Sequence, residues 1–221
     1  MNIVCDSSTL ISLGSTGVLD CLEFLTQKTG ASFIIPPAVE REIIGHALRI
    51  DKYRFSGLRL KSLVRRGVLK VVALPPLTRE GHRILDEANN AFKERGRAFQ
   101  ILQEGEAECI ALLSFVPAAA LAVDEKTTRL LLEDPAGLAR VIQADAGERV
   151  EADQGALAAL AKRRGNTPII RSTEILAVAV EKGFFDSFGQ DKAEALKAGV
   201  NALRRAGCSI SHRELDEYES L

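Results

Sequence analysis

The fold is decided by the stretch Ile3-Val4-Cys5-Asp6-Ser7-Ser8-Thr9-Leu10-Ile11. A short apolar run ends in Asp6, and three hydroxyl side chains then lead into an apolar pattern with helical spacing. The stretch Ala118-Ala119-Ala120-Leu121-Ala122-Val123-Asp124 again places an acid directly after an apolar run. Short apolar runs that alternate with helical patterns are typical of parallel strands in α/β proteins.

Segments elsewhere in the chain continue this alternation. Residues 32–35 are a second strand candidate, followed by two prolines that suit the first turn of a helix. Residues 68–73 and 167–170 are further strand candidates, and a polar helix is expected from about Thr78 to Gln103. The sequence therefore predicts an α/β fold with a parallel sheet.

Composition excludes several classes of protein. The chain has 221 residues, of which 46% are apolar and 27% charged, which is ordinary for a globular protein. No run approaches the roughly 20 apolar residues that a membrane span needs, and the start lacks the basic leader of a signal peptide. We therefore expect a cytoplasmic protein that does not interact with membranes.

Cysteine and histidine usage argues against disulfides and zinc. The four cysteines are widely spaced without a CxxC pair, which predicts reduced, mostly buried thiols. The three histidines form no close pair, so a zinc site is not expected. The net charge of −1 means that any nucleic-acid binding would depend on local basic patches.

The carboxylates carry the predicted chemistry. Asp6 and Asp124 follow strand candidates, and the carboxyl ends of parallel strands meet at one edge of a sheet. Two acidic pairs at helix starts, Glu40/Glu42 and Glu106/Glu108, belong to the same edge. About four carboxylates in one place repel each other unless a cation neutralises them. Oxygen ligands without His or Cys select Mg²⁺ or Mn²⁺, ions that suit phosphodiester cleavage.

The order of these motifs resembles the PIN domain, the nuclease fold of prokaryotic toxin-type ribonucleases similar to VapC. The resemblance covers most of residues 1–132 and 167–186, and it implies a three-layer α/β/α sandwich with helical insertions. It rests on five stretches, namely Val4-Cys5-Asp6-Ser7-Ser8-Thr9-Leu10-Ile11, Ile35-Pro36-Pro37-Ala38-Val39-Glu40-Arg41-Glu42-Ile43, residues 105–113, Ala122-Val123-Asp124-Glu125-Lys126-Thr127-Thr128-Arg129 and Ile169-Ile170-Arg171-Ser172-Thr173-Glu174-Ile175-Leu176.

The resemblance implies the function and the site. The expected protein is a Mg²⁺- or Mn²⁺-dependent endoribonuclease, a hydrolase whose catalytic, metal-binding acids are Asp6, Glu42, Glu106 and Asp124. Motif position favours Glu42 over Glu40, whereas Glu106 and Glu108 both stay candidates as metal ligands. Ser7 and Ser172 are expected to orient a ligand or water. The implied partners are RNA, an antitoxin protein that restrains a toxin, and a second copy of the chain in a homodimer.

Three regions depart from the resemblance. Residues 1–186 are expected to form the PIN-like domain, with a basic helical insertion at about 49–70 and a second insertion at about 134–166. Residues 187–221 are expected to form a C-terminal helical extension. The segment 49–70 holds eight basic residues against one acid. We expect it to project from the core and to line RNA or a protein partner, with Arg59, Arg65 and Arg66 as the residues that bind RNA.

Two rival functions remain open on the sequence alone. The first is a degenerate PIN module that binds RNA or protein without cutting, which metal titration would distinguish from an enzyme. The second is a phosphatase-like or receiver-like α/β domain, which also uses acids at strand ends. That second class needs a well-placed lysine, and Lys126 lies only two residues after Asp124, which fits the scheme poorly.

Overall fold

A central parallel sheet organises the chain, which we describe from a computed structural model over residues 1–146 and 149–219. The strands are β1 (Asn2–Cys5), β2 (Ser32–Ile35), β3 (Leu69–Val71), β4 (Phe92–Glu94), β5 (Arg97–Ala98), β6 (Ala120–Ala122), β7 (Val150–Ala152) and β8 (Ile169–Ile170). Five of them pair in the order β3-β2-β1-β6-β8, all parallel. The α/β fold with a parallel sheet is therefore confirmed.

Helices surround this sheet in two packed groups. The α-helices are α1 (Ser7–Gly14), α2 (Cys21–Thr29), α3 (Pro37–Glu40), α4 (Asp51–Arg65), α5 (Pro75–Asn90), α6 (Glu104–Leu112), α7 (Lys126–Glu133), α8 (Pro135–Asp145), α9 (Gln154–Arg163), α10 (Ser172–Glu181), α11 (Lys192–Ala206) and α12 (His212–Glu219). A π-helix, Arg41–His46, continues α3, and two 3₁₀ helices span Ala47–Arg49 and Asp186–Asp191. One group joins α1, α2, α10 and α11; the other joins α3, α5, α6, α7 and α9.

The register of the two central strands positions the acids. Strand β1 pairs with β6 so that Cys5 lies opposite Ala122, and the backbone N–H of Asp6 donates to the carbonyl of Ala122 at 2.9 Å. Both strands are apolar and completely buried at Val4 and Leu121. Asp6 and Asp124 therefore leave the same edge of the sheet on neighbouring strands.

A small second sheet replaces the end of the long helix expected between Thr78 and Gln103. Helix α5 ends at Asn90, and β4 and β5 form a hairpin whose other edge pairs with β7. Arg95 and Gly96 connect the hairpin with φ values of 49° and 76°. Two consecutive left-handed residues make the tight turn that matches strand twist. The polar composition of the segment gave no signal for this turn. The helical prediction is therefore wrong beyond Asn90.

Helix α4 carries the basic segment and packs into the domain rather than projecting from it. Gly57, Leu60 and Leu63 are buried on one face. A Cβ on residue 57 would lie 3.0 Å from the Cβ of Ala47, so glycine permits the close approach of α4 to the preceding 3₁₀ helix. Among the described residues, no helix combines the length and the apolarity that crossing a membrane requires.

Candidate functional site

Asp6 follows the central strand β1 and begins helix α1. Its Oδ2 accepts hydrogen bonds from the backbone N–H of Ser8 at 3.0 Å and from the Ser8 hydroxyl at 2.7 Å, which caps the helix. Its Oδ1 is buried and has no hydrogen-bond partner among the residues that the structure describes. Because a buried oxygen without a partner is costly, this atom is a candidate for binding a ligand.

The environment of Asp6 also favours its protonated form in the absence of a cation. Burial raises the pKa of Asp6 to about 6; the hydrogen bonds from Ser8 oppose this rise, and the negative charge of Glu42 adds to it. A cation near Oδ1 would remove this penalty, because it would compensate both the lost hydration and the neighbouring charge.

Glu42 approaches Asp6 from the π-helix. A turn of π-helix contains one residue more than an α-helical turn, and such turns occur frequently at functional sites. A Cβ on residue 105 would lie 3.3 Å from Glu42 Oε2 and 3.9 Å from Asp6 Oδ1. Gly105 therefore keeps open the space beside both carboxylates, which a larger residue would fill.

Glu106 stands at the start of helix α6 and is tied down at both oxygens. Its Oε2 accepts from the backbone N–H of Gln103 at 2.7 Å in a capping box, and its Oε1 accepts from the hydroxyl of Thr128. Burial, followed by the charge of Asp6, raises the pKa of Glu106 to about 8. Burial and the charge of Asp6 thus favour the protonated form of Glu106 when no cation is present.

Glu108 contacts the starts of α3 and α5. It is fully buried, and its oxygens accept from the backbone N–H of Ala38 at 2.9 Å and from the hydroxyl of Thr78 at 3.2 Å. Gly81 of α5 packs directly against it, since a Cβ there would come within 2.9 Å of its side chain. Glu108 therefore holds the start of α3, the helix that leads to Glu42, and unlike Glu106 it is not part of the described lining of the pocket beside Asp6.

A pair of isosteric substitutions separates these two acids. Glu106→Gln is expected to abolish metal-dependent activity, whereas Glu108→Gln should keep most of it, because glutamine can still accept from Ala38 and donate to Thr78. Glu108→Ala should lower the free energy of unfolding by about 2–4 kcal/mol, since it orphans a buried N–H and leaves a cavity. Activity assays and chemical denaturation of the three variants measure this. Equal loss of activity in both glutamine variants would contradict the assignment.

Asp124 is completely buried and held by its neighbours. Oδ1 accepts from the backbone N–H of Ser172 at 2.7 Å and from the hydroxyl of Thr9 at 3.2 Å, and Oδ2 accepts from the hydroxyl of Ser172 at 2.7 Å. Its own N–H donates to the hydroxyl of Ser8 at 3.0 Å, and its carbonyl accepts from the N–H of Ser209 at 3.1 Å. Ser8 therefore connects the two strand-end acids.

The strand-end edge opens into one cleft, which we call the acidic cleft. Its volume is about 470 Å³. Its described lining consists of Asp6, Ser7, Ser8, Ile11, Glu42, Gln100, Ile101, Leu102, Gln103, Glu106, Glu125 and Thr127. Asp6, Glu42 and Glu106 thus come together, whereas Asp124 and Glu108 are not among the described lining residues. Ser7 lies in the lining, and Ser172 orients Asp124 instead.

Sequence reasoning missed four features of this cleft. Ser8 bridges Asp6 and Asp124, and its position two residues after a helix-capping Asp is the signal that could have shown it. Glu125 caps α7 through the N–H of Thr128 and lines the cleft. Gly105 provides space, and residues 100–103 form a wall that depends on the unexpected hairpin before them.

The donor set fits a divalent cation. Within residues 1–146 and 149–219, no three His, Cys, Asp or Glu side chains already stand together as a ready-made ligand set. Mg²⁺ does not require one, since it is usually held by one or two carboxylates and several waters. The unpartnered Oδ1 of Asp6 beside Glu42 offers such hard oxygen ligands, so the residues present fit Mg²⁺ or Mn²⁺.

The three arginines expected to bind RNA lie in or just after α4. Arg59 is half-buried, donates to the carbonyl of Thr16 at 3.0 Å and pairs with Asp20 at 3.5 Å. Arg66 pairs with Glu23 at 2.7 Å, and Arg65 is exposed. Arg59 and Arg66 therefore attach the α4 region to the start of α2. Their binding of RNA stays a prediction.

Comparison with known proteins identifies the family. A family model described as a PIN domain matches residues 2–135, which is more than half of the chain. No curated protein and no solved structure gives a significant match. The matched segment contains β1, β6 and the whole described lining of the acidic cleft. The chain therefore belongs to the PIN-domain family, whose members are generally nucleases.

Proposed function

We propose that this PIN domain is an endoribonuclease that depends on Mg²⁺ or Mn²⁺ and cleaves RNA phosphodiesters in the acidic cleft. The observation that carries the proposal is the buried Oδ1 of Asp6, which has no partner among the described residues and lies beside Glu42 over Gly105. A cation bound there would neutralise negative charge on the phosphate and would activate a water molecule. The antitoxin partner, the homodimer and the cytoplasmic location stay predictions.

The chain's own residues divide the work. Asp6 and Glu42 provide the oxygens that would hold the cation. The Ser8 hydroxyl binds Oδ2 of Asp6, the oxygen that does not face the cation site, and the Ser172 hydroxyl binds Asp124. These hydrogen bonds hold the two acids at a fixed distance from each other. Glu106 lines the same cleft, and its carboxylate would face the cation once it has lost the proton that burial favours. Gln100 and Gln103 are exposed at the cleft and offer amide donors to a phosphate or a ribose.

A cleavage assay with a matched pair of variants tests the proposal. Single-stranded RNA is incubated with the protein in Mg²⁺, in Mn²⁺ or in chelator, beside single-stranded DNA of the same sequence. Glu42→Gln is expected to reduce cleavage at limiting metal by at least about 10-fold, the effect that even an indirect change to a metal site produces. Glu40→Gln, two residues earlier and not part of the described lining, should cut as the wild type does.

A degenerate binding module is the second candidate function. It is favoured by the locked hydrogen bonds of Asp124 and by the lack of a ready-made set of three metal ligands in the described part of the chain. Wild-type protein that binds no Mn²⁺ in calorimetry and leaves RNA intact would replace the nuclease proposal with this one.

A further inference from the structure

An apolar groove adjoins the acidic cleft. Its volume is about 270 Å³, and it lies between helix α4 on one side and α1 with the π-helix on the other. Its described lining is Ile11, Ser15, Glu42, Ile43, His46, Ala47, Ile50, Tyr53, Ser56, Gly57 and Leu60. Ile11 and Glu42 also line the acidic cleft, so the groove and the cleft share a wall. A molecule held in the cleft can extend into the groove without leaving the protein surface.

The lining of the groove suits a flat, uncharged group. Ile11, Ile43 and Leu60 provide an apolar floor, and Gly57 lets α4 approach closely there. Tyr53, one of only two tyrosines in a chain without tryptophan, stands at the groove with about a third of its surface exposed. Aromatic rings with an accessible surface are platforms on which nucleobases stack.

Charge is arranged to match a nucleotide. The Nζ of Lys52 lies 5.1 Å from the centroid of the Tyr53 ring, which brings a positive charge to the rim of the groove. The lining itself contains one acid, Glu42, at the wall shared with the cleft. A nucleobase would therefore enter an apolar interior, with a positive charge near the ring on which it stacks and the acidic cleft beyond the shared wall.

We propose that this apolar groove is a nucleobase subsite, in which a base next to the scissile phosphate of single-stranded RNA stacks on Tyr53. The inference rests on the proposed nuclease function, because it extends the substrate from the acidic cleft into the neighbouring groove. Stacking is tolerant of base identity, so the subsite positions RNA and raises affinity with little preference among the four bases.

Binding measured in chelator tests the subsite separately from cleavage. Fluorescence anisotropy follows a labelled single-stranded oligouridylate and an oligoadenylate on wild type, Tyr53→Ala, Tyr53→Phe and Phe55→Ala. Tyr53→Ala should weaken binding of both probes roughly 5- to 100-fold, the loss expected for one stacked base. Tyr53→Phe keeps the ring and should restore affinity. Phe55→Ala removes a more exposed aromatic of the same helix that does not line the groove, and should have no effect.

Two further readouts decide the outcome. In amide NMR spectra, uridine 5′-monophosphate should shift the signals of Ser56 and Gly57. In cleavage kinetics, Tyr53→Ala should raise KM and leave kcat nearly unchanged. If RNA is cut but Tyr53→Ala binds and cuts normally, the subsite is wrong and the nuclease stands. If RNA is never cut while Tyr53-dependent binding persists, the nuclease is wrong and the subsite stands. The subsite would also be overturned if the amide NMR signals of the groove did not shift with nucleotides and shifted only with a protein partner.

Discussion

Asp6→Asn is expected to reduce metal-dependent RNA cleavage by at least ~100-fold while the protein stays folded. Asparagine still accepts from Ser8 and is a good helix cap, so α1 should remain intact. The substitution removes the negative charge of Asp6. The Oδ1 of Asp6 is the one buried carboxylate oxygen among the described residues that lacks a hydrogen-bond partner. Asp124→Asn would be less informative, because Asp124 is not among the described lining residues of the acidic cleft.

The stability of Asp6→Asn provides the control. The pKa of Asp6 in the folded protein, about 6, exceeds its ordinary value of 3.8, so the folded state binds this proton more tightly than the unfolded chain. Asp6 therefore lowers the stability of the wild type as the pH rises from about 4 to 6, and its penalty is constant above that range. Melting curves are measured in chelator between pH 4 and pH 7. Over this range the melting temperature of Asp6→Asn should rise relative to that of the wild type. An active variant would refute the role of Asp6, and an unfolded one would show that Asp6 is chiefly a cap.

The affinity for Mn²⁺ is expected to rise roughly 50- to 100-fold between pH 6 and pH 8. Glu106 has a pKa of about 8 without metal, so it is mainly protonated at pH 7 and must lose that proton for its carboxylate to face a cation. Each pH unit below 8 should then cost about 10-fold in affinity for one released proton. Asp6, with a pKa of about 6, adds a second proton at the acidic end of the range.

Calorimetry in buffers of different ionisation enthalpy measures the released protons directly. About one proton should leave per Mn²⁺ bound at pH 7. Glu106→Gln should weaken binding at pH 8 and flatten the dependence between pH 6 and pH 8, whereas Glu108→Gln should keep it, since Glu108 lies outside the described lining of the cleft. A pH-independent affinity in the wild type would show that Glu106 does not face the cation.

Strand direction was the part of the fold that the sequence could predict. An acid after an apolar run must leave the carboxyl edge of a parallel sheet, so the adjacency of Asp6 and Asp124 could be anticipated. The choice between Glu106 and Glu108 could not, because both lie at one helix start and their surroundings come from distant residues. Thr128 and Gln103 surround the first, and Ala38 and Thr78 the second.

The hairpin and helix α4 show two further reasons for the limits of prediction. The turn at Arg95 and Gly96 breaks a polar stretch that contains no apolar period, and pattern reasoning depends on that period. The basic charge of α4 indicated an exposed, projecting helix, yet Leu60 and Leu63 bury one face while the charges occupy the other. Long charged side chains and a packed helix are compatible, because burial needs only one stripe of the surface.

The hydrogen bonds of Asp124 make the site dependent on the order of synthesis. Asp6, Glu42 and Glu106 belong to the first half of the chain, but Asp124 is oriented by Ser172, and its loop is held by the backbone of Ser209. Chains fold from the amino end as they leave the ribosome. A nascent chain that has not yet reached Ser172 contains Asp124 but lacks the groups that orient it. The orientation of Asp124 is therefore completed only after most of the chain has been synthesised.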